Sequence, residues 1–207
     1  IFRKIYSSCL IILIAVLSSN SYADQLLNFE GKVTDLDTSD LLYVENHQIM
    51  LDDSGKYLSA LVSYTNPEGK VFAEKTLDYS KSALMPDMTF YDERSKEKTQ
   101  VRFDQDNKQL IVSIKINGKG KESTINLDEP LVVVDAGFDR LIESKWGMLR
   151  EDKEIQFTFL AITRAQLINF EVVEIKANES AVFVELQPRN FFINMLVDPI
   201  ALEYDLS

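Results

Sequence analysis

The sequence has very few of the residues that bind transition metals or act as nucleophiles. Its 207 residues include one cysteine, Cys9, and one histidine, His47. Disulfide frameworks and cysteine or histidine metal sites need several such residues, so we predict no metal and no cofactor. The Gly-x-Ser-x-Gly sequence of serine hydrolases is also absent, so the sequence does not indicate a catalytic Ser–His–carboxylate triad. We interpret His47 as a strand-face residue paired with a polar neighbour, and we predict no catalytic residue.

Positive charge is scarce as well. Acidic residues number 33 against 22 lysines and arginines, which gives a formal net charge of −11. Residues 1–23 hold Arg3 and Lys4 but no acid, so the rest of the chain is two charge units more negative. Because a strongly acidic protein repels phosphate backbones, we exclude nucleic acid as a partner.

Long apolar runs are missing apart from residues 10–17. This run follows Arg3 and Lys4 and precedes Ser21-Tyr22-Ala23, which is the pattern of a secretory signal peptide. We predict that residues 1–23 are a signal peptide and that 24–207 form a single domain. The run is short for a membrane span, so a retained anchor is the alternative. Since Cys9 would be removed with the signal, an exported chain without disulfides fits a bacterial periplasm.

Most of the remaining chain alternates apolar and polar residues between short turn signals, such as Asn66-Pro67-Glu68-Gly69 and Gly118-Lys119-Gly120. This pattern predicts a mainly β fold of about 11–12 strands, arranged as a large curved antiparallel sheet or a partly closed barrel. The apolar segment 190–197 fits either a buried strand or a short helical turn. The alternation at 200–206 runs to the last residues without a turn signal, which predicts that further sequence follows.

One segment differs from this pattern, because its apolar residues recur at helical spacing. They are Phe138, Leu141, Ile142, Trp146 and Leu149. Asp135 precedes them and is the expected N-cap. An isolated helix this short is marginal in water, so we expect one amphipathic helix packed against the sheet.

Aromatic residues are frequent, with 12 phenylalanines and 8 tyrosines. They fit a β core, and they also fit an apolar cavity between helix and sheet. Our functional hypothesis is a periplasmic, non-enzymatic protein that binds a lipid-like ligand there. The alternatives are an envelope scaffold that binds a protein partner and a carboxylate-dependent glycan hydrolase. The predicted ligand-binding residues are Trp146, Phe157, Phe159, Phe191, Phe192 and Met195.

Three further segments have a familiar sequence. They are residues 43–47 (YVENH), 66–75 (NPEGKVFAEK), and 188–192 (PRNFF) with 196–200 (LVDPI). Together they resemble a group of exported proteins of unknown function from Gram-negative bacteria. Such families look similar to lipoprotein-carrier and lipocalin-like folds in their curved sheets. The resemblance implies an exported β protein, and it implies no activity and no site residue.

Overall fold

The computed structural model describes residues 9–10, 25–35, 38, 40–149, 154–177, 181–189 and 200–205. Most of the predicted signal peptide, the segment 190–199 and the last two residues lie outside these ranges. The predictions about export and about Phe191, Phe192 and Met195 therefore stay predictions. Within the described ranges the fold is mainly β with antiparallel sheets and one α-helix, as the sequence predicted.

The first sheet is an antiparallel meander in which each strand pairs with the next strand along the chain. This order follows from short turns, since a hairpin loop joins only antiparallel neighbours. At the predicted turn the Gly69 N–H donates a hydrogen bond of 2.9 Å to the Asn66 carbonyl, and Gly69 has a positive φ of 79°. The strands are β1 (Cys9–Leu10), β2 (Gln25–Thr34), β3 (Leu41–Leu51), β4 (Tyr57–Thr65), β5 (Val71–Asp78), β6 (Asp87–Asp92), β7 (Glu97–Asp104), β8 (Gln109–Ile116) and β9 (Lys119–Asn126).

The second sheet is formed by the remaining strands. Four of them are antiparallel, and the two-residue strand β10 pairs in parallel with β11 across the helix that connects them. Neither sheet closes into a barrel in the described part of the chain. The elements are β10 (Val132–Val133), α1 (Gly137–Leu149), β11 (Ile155–Ala161), a short 3-10 turn (Ile162–Arg164), β12 (Gln166–Ala177), β13 (Ala181–Pro188) and β14 (Ile200–Asp205).

The main core lies between the two sheets. The first sheet contributes a row of buried residues that face each other across neighbouring strands. We call the side of the first sheet that carries this row its inner face. Three residues from outside the first sheet pack against this row: Val132 in β10, Val134 directly after β10, and Leu160 in β11. The row consists of Ile49, Ala60, Leu77, Met88, Val101 and Val112.

Helix α1 packs against the second sheet through its apolar stripe. Phe138, Leu141, Ile142 and Leu149 are buried in one cluster with residues of β11, β12 and β13, and Trp146 packs against that cluster. All five residues of the predicted stripe therefore contact the core, as amphipathic packing requires. No helix among the described residues has the length and apolar content needed to cross a membrane.

The start of α1 differs from the prediction. The helix begins at Gly137, and Asp135 stands two residues before it in a left-handed conformation with φ 46°. The Asp135 carboxylate accepts hydrogen bonds from Lys75 on β5 and from the Ala136 N–H. Asp135 therefore connects the helix to the first sheet rather than capping the first turn by the usual contact to N2 or N3.

Candidate functional site

Three of the six predicted ligand-binding residues lie in the described part of the chain, and they form part of the core. Phe157 is buried, its ring centroid lies 5.4 Å from that of Phe138 and 6.0 Å from that of Phe170, and Trp146 and Phe159 pack against the same cluster. The helix–sheet interface is thus filled with side chains where it is described. Phe191, Phe192 and Met195 lie outside the described residues, so the structure does not bring the whole set together.

A cavity of about 420 Å³ lies along β2 and β3. Of its seven lining residues, Asn28, Glu30, Lys32, Asn46 and Gln48 alternate with Phe29 and His47 along their strands. Successive side chains of a strand point to opposite sides of the sheet. The five polar residues therefore lie on the outer face, so most of the residues that line this cavity are on the opposite side of the sheet from the apolar row.

The most unusual feature of the inner face is a group of charged and hydroxyl side chains next to the apolar row. It comes from three neighbouring strands, β3, β4 and β5, and from the start of α1. Charged residues are rarely placed inside a core unless they are paired. We call this group the polar network, and it consists of Glu45, His47, Tyr64, Lys75, Asp135, Asp139 and Arg140.

Register explains why the strand residues of the polar network meet. His47 lies opposite Val62 and Val62 lies opposite Lys75, while in the adjacent row Glu45 lies opposite Tyr64. Directly opposed residues share a face of the sheet. Glu45, His47, Tyr64 and Lys75 therefore all point to the inner face.

Lys75 is the central cation of the network. Its ammonium donates to both carboxylate oxygens of Asp135, at 2.9 and 3.0 Å, and each side chain of the pair is 18% exposed. Burial alone lowers the pKa of Lys75, but the Asp135 charge and the hydrogen bond with Tyr64 outweigh burial and raise it. Burial raises the pKa of the Tyr64 hydroxyl, and Lys75 opposes that shift. Lys75 therefore stays charged and Tyr64 stays neutral.

His47 is held from two sides. Its Nε2 atom lies 3.2 Å from a carboxylate oxygen of Glu45, and the Phe29 ring stacks on the imidazole with centroids 4.3 Å apart. Because a carboxylate only accepts hydrogen bonds, this contact places a proton on Nε2. The interpretation of His47 as a strand-face residue with a polar partner agrees with this geometry.

Arg140 points from α1 back to the first sheet. Its guanidinium carbon lies 3.9 Å from the centroid of the Tyr57 ring, and it forms an ion pair with Glu143 one turn along the helix. Tyr57 in turn contacts Tyr79 edge to face, with centroids 5.6 Å apart. A cation over a tyrosine face is attracted by the ring quadrupole. Arg140 thus holds the start of the helix against β4.

Asp139 is the unusual carboxylate of the network. Water reaches its side chain, yet protein atoms surround it closely enough that desolvation raises its pKa to about 6. Asp135 reinforces this rise, whereas His47, Lys75 and Arg140 oppose it. Contact with water moderates the effect of this shift on stability.

The polar network does not have the arrangement of a metal centre. Among the described residues, no group of three or more histidine, cysteine, aspartate or glutamate side chains is close enough together to hold a metal ion. The network instead offers paired ions, a tyrosine hydroxyl and one open carboxylate beside aromatic rings. Such a set can bind and orient a polar group.

The positions of charged residues along the predicted strands, unlike the amino-acid composition, indicate part of this network. Glu45 and His47 lie between Tyr43 and Ile49 on the same face of the predicted strand. Lys75 likewise lies between the inward residues Ala73 and Leu77 on its strand. A charge at an inward position of an alternating strand is the informative exception. The partner of Lys75 was not predictable, because Asp135 lies 60 positions further along the chain.

No family model, no curated protein and no solved structure matches this chain.

Proposed function

We propose that this chain is a periplasmic, non-enzymatic binding protein that holds a lipid-like ligand between the first sheet and α1. In this proposal the polar group of the ligand lies at the polar network. Its apolar body lies against the rings that surround the network. The proposed export rests on the signal pattern of residues 1–23.

The observation that carries the proposal is a group of charged side chains placed directly beside the apolar row of the inner face. Removing one partner of a buried ion pair costs about 3–5 kcal/mol, but replacing the whole pair by apolar residues is often neutral or stabilising. Packing alone therefore gives little reason for Lys75 and Asp135 to be charged. Recognition of a polar group of a ligand would supply such a reason.

The rings that border the network favour a ligand with an apolar part. Each of them is partly buried and each contacts a member of the network: Phe29 stacks on His47, Tyr57 lies under Arg140, and Phe90 meets Tyr64 edge to face with centroids 5.7 Å apart. Partly buried rings offer large flat apolar surfaces. We call these rings the aromatic rim, which consists of Phe29, Tyr43, Tyr57 and Phe90.

Native mass spectrometry of protein purified from the periplasm tests the proposal. We expect a bound amphiphile that leaves on denaturation. Phe90→Ala removes a ring of the rim and should weaken retention, whereas Tyr91→Ala removes the adjacent exposed ring on the other face of β6 and should not. Circular dichroism checks that both variants fold. Wild-type protein that carries no amphiphile and takes up no added dodecanol would contradict the proposal.

A second candidate is the binding of a protein partner. Leu26 and Met50 lie opposite each other on the outer face of β2 and β3 and are 58% and 40% exposed. Exposed apolar pairs of this kind are common at interaction surfaces. In-cell cross-linking should then give one dominant protein adduct that Leu26→Lys abolishes. Adducts that are unchanged by Leu26→Lys would exclude this surface.

A further inference from the structure

We infer that the cavity along β2 and β3 is a second binding site, on the outer face of the first sheet, and that its ligand is an uncharged oligosaccharide. This goes beyond the proposed function, because most of the cavity lining lies on the opposite side of the sheet from the polar network. It follows from the arrangement of the side chains that line the cavity and from the main-chain pairing of the two strands.

The register of β2 and β3 places four polar side chains of the cavity in a compact array. Asn28 lies opposite Gln48, and Glu30 lies opposite Asn46. Directly opposed residues have Cβ atoms about 5 Å apart, and alternate residues of one strand are about 7 Å apart. Lys32 adds the next alternate position of β2. The cavity volume of about 420 Å³ lies within the range of roughly 300–1,000 Å³ that is usual for small-molecule sites.

The array offers hydrogen-bonding groups that the protein itself does not use. The Asn46 side-chain nitrogen donates to the Ser63 carbonyl at 3.4 Å and to the Thr65 hydroxyl at 3.3 Å, and these contacts with β4 orient the amide. The Asn46 side-chain oxygen has no hydrogen bond in the described part of the chain. The other four polar side chains of the lining have none there either. A ligand can therefore bind to these groups without breaking an existing contact.

The chemistry of the lining fits hydroxyl groups. Asn28, Asn46 and Gln48 each carry an amide, which has both donors and an acceptor, and a sugar hydroxyl likewise donates and accepts. Glu30 and Lys32 contribute one charge of each sign, so their formal charges cancel. A charged ligand would therefore meet a like charge as well as an opposite one. The lining favours an uncharged ligand that is rich in hydroxyl groups.

Exposed apolar side chains next to the array fit the less polar surface of a sugar ring. Leu26 and Met50 form the adjacent cross-strand pair on the outer face, beside Asn28 and Gln48, and they are 58% and 40% exposed. A sugar ring presents C–H groups on its faces and hydroxyl groups around its edge. Its faces can cover the apolar pair, which is favourable because apolar area is removed from water, while its hydroxyls reach the amides.

The pairing of β3 disfavours a peptide that binds as an added strand. Such a peptide uses the free main-chain groups of an edge strand. At Asn46 and Gln48, β3 pairs with β2 on one side and with β4 on the other, so its main chain is already engaged. A ligand that contacts both amides must lie across the face of the sheet and bind side chains, as an oligosaccharide can.

The described lining supports binding rather than cleavage of the saccharide. Most glycosidases place two carboxyl groups on either side of the scissile bond, roughly 5–9.5 Å apart. Among the described residues that line the cavity, Glu30 is the one carboxylate.

NMR titration of isotope-labelled protein purified from the periplasm tests the inference. The probes are maltotriose, cellotriose and triacetylchitotriose, three uncharged trisaccharides that differ in linkage and substituents. At least one of them should shift the side-chain amide resonances of Asn28, Asn46 and Gln48 and leave those of Gln100 unchanged. The anionic trimer trigalacturonate should bind no more tightly than the uncharged trisaccharide that responds.

Gln48→Ala should weaken binding of the responding trisaccharide about tenfold, as the loss of one or two hydrogen bonds allows. Gln48 is exposed, so the variant should fold, and circular dichroism checks this. Gln100→Ala is the matched control. Gln100 lies on β7 in the same cross-strand row of the outer face as Gln48, but it does not line the cavity.

The outcomes separate this site from the proposed lipid site. If no trisaccharide shifts the three amides, or if Gln48→Ala and Gln100→Ala weaken binding equally, the saccharide site is wrong. Tighter binding of trigalacturonate would overturn the preference for an uncharged ligand, and binding of pentavaline in place of the sugars would assign the cavity to a peptide. Gln48→Ala should leave dodecanol uptake unchanged, and Phe90→Ala should leave saccharide binding unchanged, so that failure of either proposal leaves the other standing.

Discussion

Lys75 and Asp135 are 60 positions apart in the chain, and their side chains form a two-hydrogen-bond ion pair between β5 and the residue pair that precedes α1. Through this contact the helix, whose apolar stripe packs on the second sheet, is also attached to the first sheet. The pair therefore links the two sheets within the polar network. Its contribution to stability can be measured separately from that of the core.

Lys75→Met should destabilise the protein by about 2–4 kcal/mol, since it leaves Asp135 largely buried without its cation. Asp135→Asn should cost less, because asparagine tolerates the left-handed conformation at this position. The double variant should be more stable than the sum of the single changes implies, which is the signature of a direct interaction. Urea unfolding measures all three. Strictly additive effects would show that the pair contributes nothing specific.

Asp139→Asn should stabilise the protein at neutral pH. The folded-state pKa of Asp139 is about 6, above its ordinary value of 3.8, so ionisation opposes folding. Stability associated with Asp139 is complete below about pH 4 and is lost as the pH rises through about 6. After allowance for water contact, the gain in Asp139→Asn at neutral pH should be ~1 kcal/mol, and it should vanish near pH 4. Melting temperatures across this range, with Asp106→Asn as control, provide the test. A gain that is independent of pH would refute the electrostatic explanation.

Local patterns predicted most of the secondary structure. The turn at 66–69, the helical stripe from Phe138 to Leu149 and the antiparallel meander all follow from periodicities of two or 3.6 residues and from turn chemistry. One turn was placed one residue late. Asn117 and Gly118 both have positive φ, 52° and 76°, which is typical of a two-residue hairpin turn. Lys119 and Gly120 consequently belong to β9.

The division into two sheets was not predictable in the same way. Hairpin signals indicate which consecutive strands pair, but they do not indicate where one sheet ends. The short parallel pairing of Val132 and Val133 with β11 joins strands on either side of a helix, so no turn signal marks it. The polar network depends on this arrangement, because the segment after β10 brings Asp135 to Lys75. Such non-local contacts are absent from any local sequence pattern.

Leu141→Ala should destabilise the protein by about 2–5 kcal/mol, because this side chain is fully buried between α1 and the second sheet. Met148 on the same helix is exposed, and Met148→Ala should change the free energy of unfolding by less than about 0.5 kcal/mol. Chemical denaturation of both variants measures the difference. Similar small effects would mean that α1 does not pack on the sheet through this stripe.

Gly137→Ala tests how closely the start of α1 approaches Leu84, which lies in the connection between β5 and β6. A Cβ atom at Gly137 would lie 2.0 Å from the Leu84 carbonyl oxygen, and the Val134 N–H donates a hydrogen bond of 2.9 Å to that same oxygen. The three nearest atoms all belong to the Leu84 backbone, so no flexible side chain can move away and overpacking should cost about 1–3 kcal/mol.

Gly147 in the same helix is the matched control. A Cβ there meets nothing within 4 Å, so Gly147→Ala should stabilise the protein by about 0.5–1 kcal/mol through helix propensity alone. The two alanine variants should therefore shift the urea midpoint in opposite directions. Equal stabilisation by both substitutions would show that the helix start is free to move away from Leu84.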